Sequence, residues 1–395
     1  MSHPLFHWHL EVSSKCTLKC SRCPRTEKPE LFKVTEMDLN FVKSFLTPDI
    51  LSKTSRILLC GGQGDPIYCK EMLEIVEYIK SHNEKLHLCI VTNGSYKTSE
   101  WWERLGNAIG VHDTIVFSID GWDQESNDKY RTNSNFKSIM NAISVLKEVS
   151  PELLIIWSTI IFKFNQHKLD EIKQLAKETG ADVFNVVQSF LFGSWEPDYI
   201  DKELGYDPLE PDMSHEMVSR YRHSERDLFI NLSGKQTEFR DIENIRNMTS
   251  QFENNKDSYK DKPVLPLCIL GERGLYVDAE GILYPCSWIS HPFRTRTSKE
   301  RDKEIKWNDS LFVKHKKEFD LHTNNLDTIL KGNSWTKLTK SWKDPKTMFI
   351  ECEDKCSYGS AYDKFTRRII PELDRNKKIE ESLKKYRQKA ITHIQ

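Results

Sequence analysis

The stretch Cys16-Thr17-Leu18-Lys19-Cys20-Ser21-Arg22-Cys23 follows an apolar run over residues 6–12 that reads as a first β-strand. Three thiols, separated by three and then two residues, can converge on one soft metal centre. As thiolates they suit an iron–sulfur cluster or zinc far better than magnesium or calcium. No fourth ligand stands nearby in the chain. A closed structural zinc site takes four protein ligands, and a [4Fe–4S] cluster is ordinarily held by four cysteine thiolates. A cluster held by three leaves one iron open to a ligand from outside. A zinc knuckle is the alternative at this point.

Outward from the triplet, apolar and β-branched runs occur at 56–60, 86–92, 114–119, 154–161 and 182–188. Between them lie segments with helical spacing at 38–46, 70–82, 98–109, 135–148 and 166–179. Met72, Ile75, Val76 and Ile79 fall on one helical face, as do Ile139, Ile143 and Leu146. Strands alternating with helices predict a parallel sheet with right-handed crossovers. With the first run there are six such units, enough for an α/β fold of the partial (β/α)6, TIM-like barrel type. Parallel α/β architectures place their sites at the C-terminal ends of strands. The triplet lies on that edge.

Three further motifs share it. Gly61-Gly62-Gln63-Gly64-Asp65-Pro66 follows the second run, and its glycines let backbone approach a ligand closely. Thr92-Asn93-Gly94 follows the third, where Asn-Gly is a turn signal. Ser118-Ile119-Asp120-Gly121 follows the fourth, with Tyr130-Arg131 downstream. Short polar side chains there can hydrogen-bond ligand hydroxyls, and an arginine can pair a carboxylate bidentately. Each motif alone is compatible with an ordinary turn. Their order after successive strands is what gives them weight.

Together these motifs resemble those of the radical S-adenosylmethionine (radical SAM) enzymes, in the branch with a SPASM or twitch-type auxiliary domain. The resemblance implies that Cys16, Cys20 and Cys23 hold a [4Fe–4S] cluster whose open iron binds SAM. It implies SAM contacts from Gly61, Gly62, Gln63, Gly64, Asp65, Asn93, Ser118, Asp120 and Arg131. The glycine motif would take the amino group, and Asn93 would lie near the ribose. Pro24-Arg25 after the third cysteine is common in the auxiliary-domain branch. Arg22 stands where many members carry an aromatic residue, and Gln63 where glutamate is frequent. The implied activity is oxidoreductase chemistry begun by reductive cleavage of SAM. No catalytic acid or base is assigned.

Ser158, Asn185 and Gln188 are polar residues inside apolar runs. Each needs a partner, either structural or a ligand, and Ser158 is carried as a candidate SAM contact. Cys60 and Cys89 read as small core residues, while Cys69 has no motif partner. Residues 196–212 hold seven acidic residues, one lysine and three prolines. Charge runs face water, so the segment reads as a solvated connector, with attraction of a basic substrate as the alternative. Residues 213–262 are polar and read as connecting helices or loops.

Cys268, Cys286, Cys352 and Cys356 form a second set, with a hairpin turn at Glu280-Gly281 bringing the first two together. Four thiols complete the shell of zinc or of an iron–sulfur cluster. The resemblance implies one auxiliary [4Fe–4S] cluster, since a full SPASM pattern has more cysteines. The expected domains are a core at 1–195, a connector at 196–262, the auxiliary α+β domain at 263–360 and a basic helix or tail at 361–395. Between residues 364 and 389 that tail carries ten basic and four acidic residues with few aromatics. A solvated helix is expected there rather than nucleic-acid contact.

Composition sets the remaining bounds. A formal net charge of −1 over 395 residues gives no global pull toward nucleic acid or acidic membranes. No apolar run of about 18 residues is present to span a bilayer. The N-terminus shows no secretory pattern, so a cytoplasmic protein is expected, with its ten cysteines as ligands or buried thiols rather than disulfides. The implied partners are a peptide or small polar metabolite and an electron donor such as flavodoxin or ferredoxin. A zinc-stabilised binding protein acting through the basic tail is the rival from another class.

Overall fold

The computed structural model describes residues 5–27, 29–62, 64–188, 200–212, 214–216, 218, 227–235, 242–259, 264–270, 274–290, 311–343, 348–349, 352 and 356. Gln63, residues 196–199 of the acidic segment and the basic tail lie outside these. The chain divides into a larger unit (residues 10–43 and 56–239) and a smaller one (1–9, 44–55 and 240–395).

In the larger unit, β2 (Arg56–Leu59), β3 (His87–Thr92), β4 (Thr114–Ser118), β5 (Leu154–Ile160) and β6 (Val183–Val187) are successive parallel neighbours. The crossovers carry α1 (Met72–His82), α2 (Ser99–Ala108), α3 (Gln124–Asp128), α4 (Phe136–Val149) and α5 (Leu169–Thr179). This is a partial barrel of the expected α/β class. The helical faces read from the sequence are the faces that pack: Met72, Leu73, Ile75, Val76 and Ile79 of α1 are buried, as are Ile139, Ala142, Ile143 and Leu146 of α4. Full burial of such a side chain stabilises by about 1.5–3 kcal/mol. Helix starts are set by side-chain caps. Thr98 Oγ1 accepts from Trp101 N at 3.3 Å, and Asn135 Oδ1 from Ser138 N at 2.9 Å.

One strand was not expected. β7 (Asp227–Asn231) pairs antiparallel with β6 inside the stretch read as helices or loops. It is a short edge strand in a polar context, where the alternation signal is weak. The helix Ile242–Tyr259 in the same stretch fits the expectation.

In the smaller unit, which takes residues 7–9 of β1 (His7–Leu10), β8 (Leu275–Val277) pairs antiparallel with β9 (Leu283–Tyr284). The hairpin turn at Glu280-Gly281 is present. Asp278 Oδ1 accepts from Glu280 N at 3.0 Å and Ile282 N at 2.9 Å, which fixes it. Aromatic packing continues through Tyr284, Phe312, Phe319 and Trp335. Among the described residues no helix is long and apolar enough to cross a membrane.

Candidate active site

The C-terminal ends of β2, β3 and β4 open on a cavity of about 240 Å³. Cys16, Cys20 and Cys23 line it together with Gly61, Gly62, Gly64, Asp65, Asn93, Ser118 and Arg131. Four motifs spread over more than a hundred residues of sequence thus share one wall.

The glycine loop is fixed by contacts that sequence reading did not find. Gly64 lies so close to the chain before the triplet that a Cβ would stand 2.2 Å from Ser13 O and 2.5 Å from Ser14 C. Its N–H donates to Glu11 Oε1 at 2.9 Å, and Asp65 N donates to Lys15 O at 2.9 Å. Glu11 is buried; alternation along an apolar strand gave no sign of its role. Asp65 links this loop to the next. Its carboxylate accepts from Thr92 Oγ1 at 2.8 Å, and from Asn93 N and Nδ2 at 2.6 Å each. Burial nevertheless pushes its pKa up to about 6.

Asn93 Nδ2 also reaches Cys16 Sγ at 3.6 Å. Burial, and then the neighbouring Asp65 charge, push the Cys16 thiol up to about 12. Such a thiol keeps its proton at neutral pH until a soft metal displaces it. Burial raises Cys20 as well, while the Arg131 guanidinium beside it pulls the other way. Arg25 Nη2 donates to Cys16 O at 2.6 Å and lines the cavity, as Tyr130 does.

Asp120 and Arg131 are placed as a pair. Arg131 Nε donates to Asp120 Oδ2 at 2.6 Å, and Ile160 N to Asp120 Oδ1 at 2.7 Å. Arg131 faces the cavity, whereas Asp120 is wholly buried behind it. Ser158 does not line the cavity. It stands in register with Ser118 on one side and Asn185 on the other, and accepts from Asn185 Nδ2 at 3.1 Å. Cys60, expected as a core residue, lines the cavity instead, because β2 ends just before it. Cys89 is buried as expected. Cys69, for which no role was read, is buried too, with its Sγ 3.4 Å from Met37 O.

The second cysteine set lies in the smaller unit. Cys268 sits in the short helix Leu267–Leu270, and its thiol is raised well above the usual range. Burial is the largest cause, followed by the charges of Cys286, Cys356 and Cys352. Cys286, Cys352 and Cys356 are therefore each within electrostatic reach of Cys268. Leu265 N donates to Cys356 O at 2.7 Å, which ties the last cysteine to the segment just before the helix carrying the first.

Among the described residues no three His, Cys, Asp or Glu side chains close around a single ion. The fit of both sets to a cluster rests on donor chemistry: three thiols lining one cavity, and in the smaller unit three thiols within electrostatic reach of Cys268. A cubane presents a different iron to each thiolate.

Residues 10–178 match the profile of the radical SAM superfamily. No curated protein matches the chain. Among solved structures, the chain is similar to SuiB of Streptococcus suis bound to S-adenosylmethionine, at 13% identity and a TM-score of 0.46. That match covers 89% of this chain and 78% of SuiB. It is also similar to anSMEcpe with bound AdoMet and the Cp18Cys peptide, at 14% identity and a TM-score of 0.45, over 93% of this chain and 98% of the other.

Proposed function

We propose, on the match of residues 10–178 to the radical SAM superfamily, that this chain is a radical SAM enzyme with a division of roles among its residues. Cys16, Cys20 and Cys23 hold the reducing cluster. Gly61, Gly62 and Gly64 offer bare backbone for the amino group of SAM, Asn93 and Ser118 offer hydrogen bonds to its hydroxyls, and Arg131 offers its remaining N–H groups to the carboxylate. Asp65, Asp120 and Glu11 hold these loops in place. Bound there, a [4Fe–4S] cluster supplies the electron that splits SAM into methionine and the 5′-deoxyadenosyl radical, which abstracts hydrogen from an unactivated carbon.

The substrate is a peptide or a small polar metabolite, and a flavodoxin or ferredoxin supplies the electrons. Cys268, Cys286, Cys352 and Cys356 hold a second, fully ligated [4Fe–4S] cluster that assists electron transfer. The observation that carries the reading is the single cavity wall shared by the triplet, the glycine loop, Asn93, Ser118 and Arg131.

Anaerobic reconstitution followed by iron and sulfide analysis tests it. The parent is expected to hold about eight irons, and the triple Cys16→Ala, Cys20→Ala, Cys23→Ala variant about four. The variant should make no 5′-deoxyadenosine from SAM and dithionite. A parent that binds only zinc, or a triple variant that cleaves SAM at the parent rate, sinks the proposal.

A further inference from the structure

Arg22, between the second and third cysteines, is bound to a residue far along the chain. Its Nη2 donates to Asp207 Oδ1 at 2.7 Å, and the Asp207 side chain is wholly buried. Asp207 belongs to the acidic segment that reads as a solvated connector; in the structure it is an anchor. The same carboxylate oxygen accepts from Leu209 N at 2.9 Å, which folds the segment into a turn. Two further ties follow: Lys163 N donates to Leu209 O at 3.1 Å, and Asp212 N to Gln166 Oε1 at 2.7 Å. Lys163 Nζ lies over the Tyr206 ring, 4.1 Å from its centre. Residues 206–212 are thus strapped to the cluster loop at one end and to the loop after β5 at the other.

Cys20 and the strap meet on one aromatic pair. The rings of Tyr130 and Phe162 lie 4.5 Å apart and tilted by 39°, and both Cys20 and Leu209 pack against them. The strap lies beyond residue 178, outside the part of the chain that the superfamily profile accounts for. A carboxylate with no exposed surface holds its place only while its cation stays, so the position of the strap depends on Arg22.

We propose that Asp207, acting through Arg22, is a positioning residue for the cluster loop, and that residues 206–212 close the Cys20 side of the cluster to solvent. The proposal rests on the triplet holding a cluster. It concerns neither SAM nor the substrate.

The test uses the full chain, reconstituted anaerobically and then exposed to air for timed intervals. Cysteines released as clusters decay are alkylated with iodoacetamide and quantified by peptide mass spectrometry. In Asp207→Asn, which keeps the shape and removes the charge, Cys16, Cys20 and Cys23 should be released about fivefold sooner than in the parent. Cys268, Cys286, Cys352 and Cys356 should be labelled at the parent rate and so serve as internal reference. Leu209→Ala, which loosens the strap without touching the ion pair, should shift the triplet in the same direction, and Arg22→Lys should retain most of the protection. Equal release in the parent and both strap variants overturns the proposal. Faster labelling of all seven cysteines together also overturns it, since that is general loosening of the fold. A parent whose triplet is labelled before any exposure to air fails differently, because it removes the cluster reading on which the strap depends.

Discussion

At the scale of single residues, the glycine loop is limited by space and not by flexibility. The atoms that a Gly64 Cβ would strike belong to the Ser13 and Ser14 backbone, and the Gly61 Cβ would strike Gly64 O at 2.1 Å. Backbone cannot rotate aside as a side chain can. Gly64→Ala must therefore push the loop off the segment before the triplet, breaking the Gly64 N to Glu11 hydrogen bond. Overpacking of this kind costs about 1–3 kcal/mol. The expected outcome is a thermal midpoint several degrees lower and SAM affinity reduced about tenfold or more, read by calorimetry and by anaerobic equilibrium dialysis. An alanine variant that binds SAM as the parent does would show that this loop does not carry the cosubstrate. Gly94 is constrained for a second reason. Its φ of +71° is left-handed, and a Cβ there would meet the Phe117 ring at 2.7 Å. The Asn93-Gly94 turn signal in the sequence and the geometry agree at this point.

At the scale of elements, the far ends of the strands carry their own electrostatics. His87 opens β3, and its ring Nε2 lies 3.0 Å from Thr114 Oγ1 at the start of β4. Burial, then the charges of Arg56, Lys80 and His112, lower its pKa to about 3. A histidine depressed in the fold binds fewer protons there than in the unfolded chain between about pH 3 and 6.5. Its contribution to stability is therefore complete above about 6.5 and is lost as the pH falls, by up to about 1.4 kcal/mol per pH unit. Asp65 acts in the opposite sense. Its raised pKa makes the fold bind more protons from about pH 4 to about 6, so its contribution is present at the acid end and is lost as the pH rises. The two partly offset each other in the parent. His87→Gln keeps a hydrogen-bonding group beside Thr114 and removes one titration. Urea midpoints of the metal-free protein, taken at pH 7 and pH 5, should then fall less on acidification than in the parent. A variant that loses as much stability as the parent would show that His87 is not held neutral by the fold.

At the scale of the whole molecule, what was legible in the sequence is what repeats at short range. The strand and helix periods of the larger unit could be read because each helix buries one face, as Met72, Ile75, Val76 and Ile79 do, and each strand is a run of apolar residues. The triplet and the loops after β2, β3 and β4 could be placed on one edge because parallel topology puts all strand ends there. Pairings with no local pattern could not be read. Glu11 to Gly64 and Arg22 to Asp207 span 53 and 185 residues, and nothing in either neighbourhood announces the partner. The second cysteine set is an intermediate case: its members are visible as residues, and the cluster proposed for them rests on donor chemistry alone. Four thiols satisfy every iron of a [4Fe–4S] centre, leaving none open to bind a substrate. Electron relay or support of the fold suits such a site better than substrate ligation. Cys352→Ala with Cys356→Ala should therefore leave SAM binding and 5′-deoxyadenosine formation close to the parent level while product formation falls steeply. Metal binding and folding are coupled in small metal domains, so the soluble variant is first checked by circular dichroism and by its iron content, which should drop by about four. Retained SAM cleavage with product lost supports the division of labour. Full product formation with only the first cluster present would show that the second is dispensable for turnover.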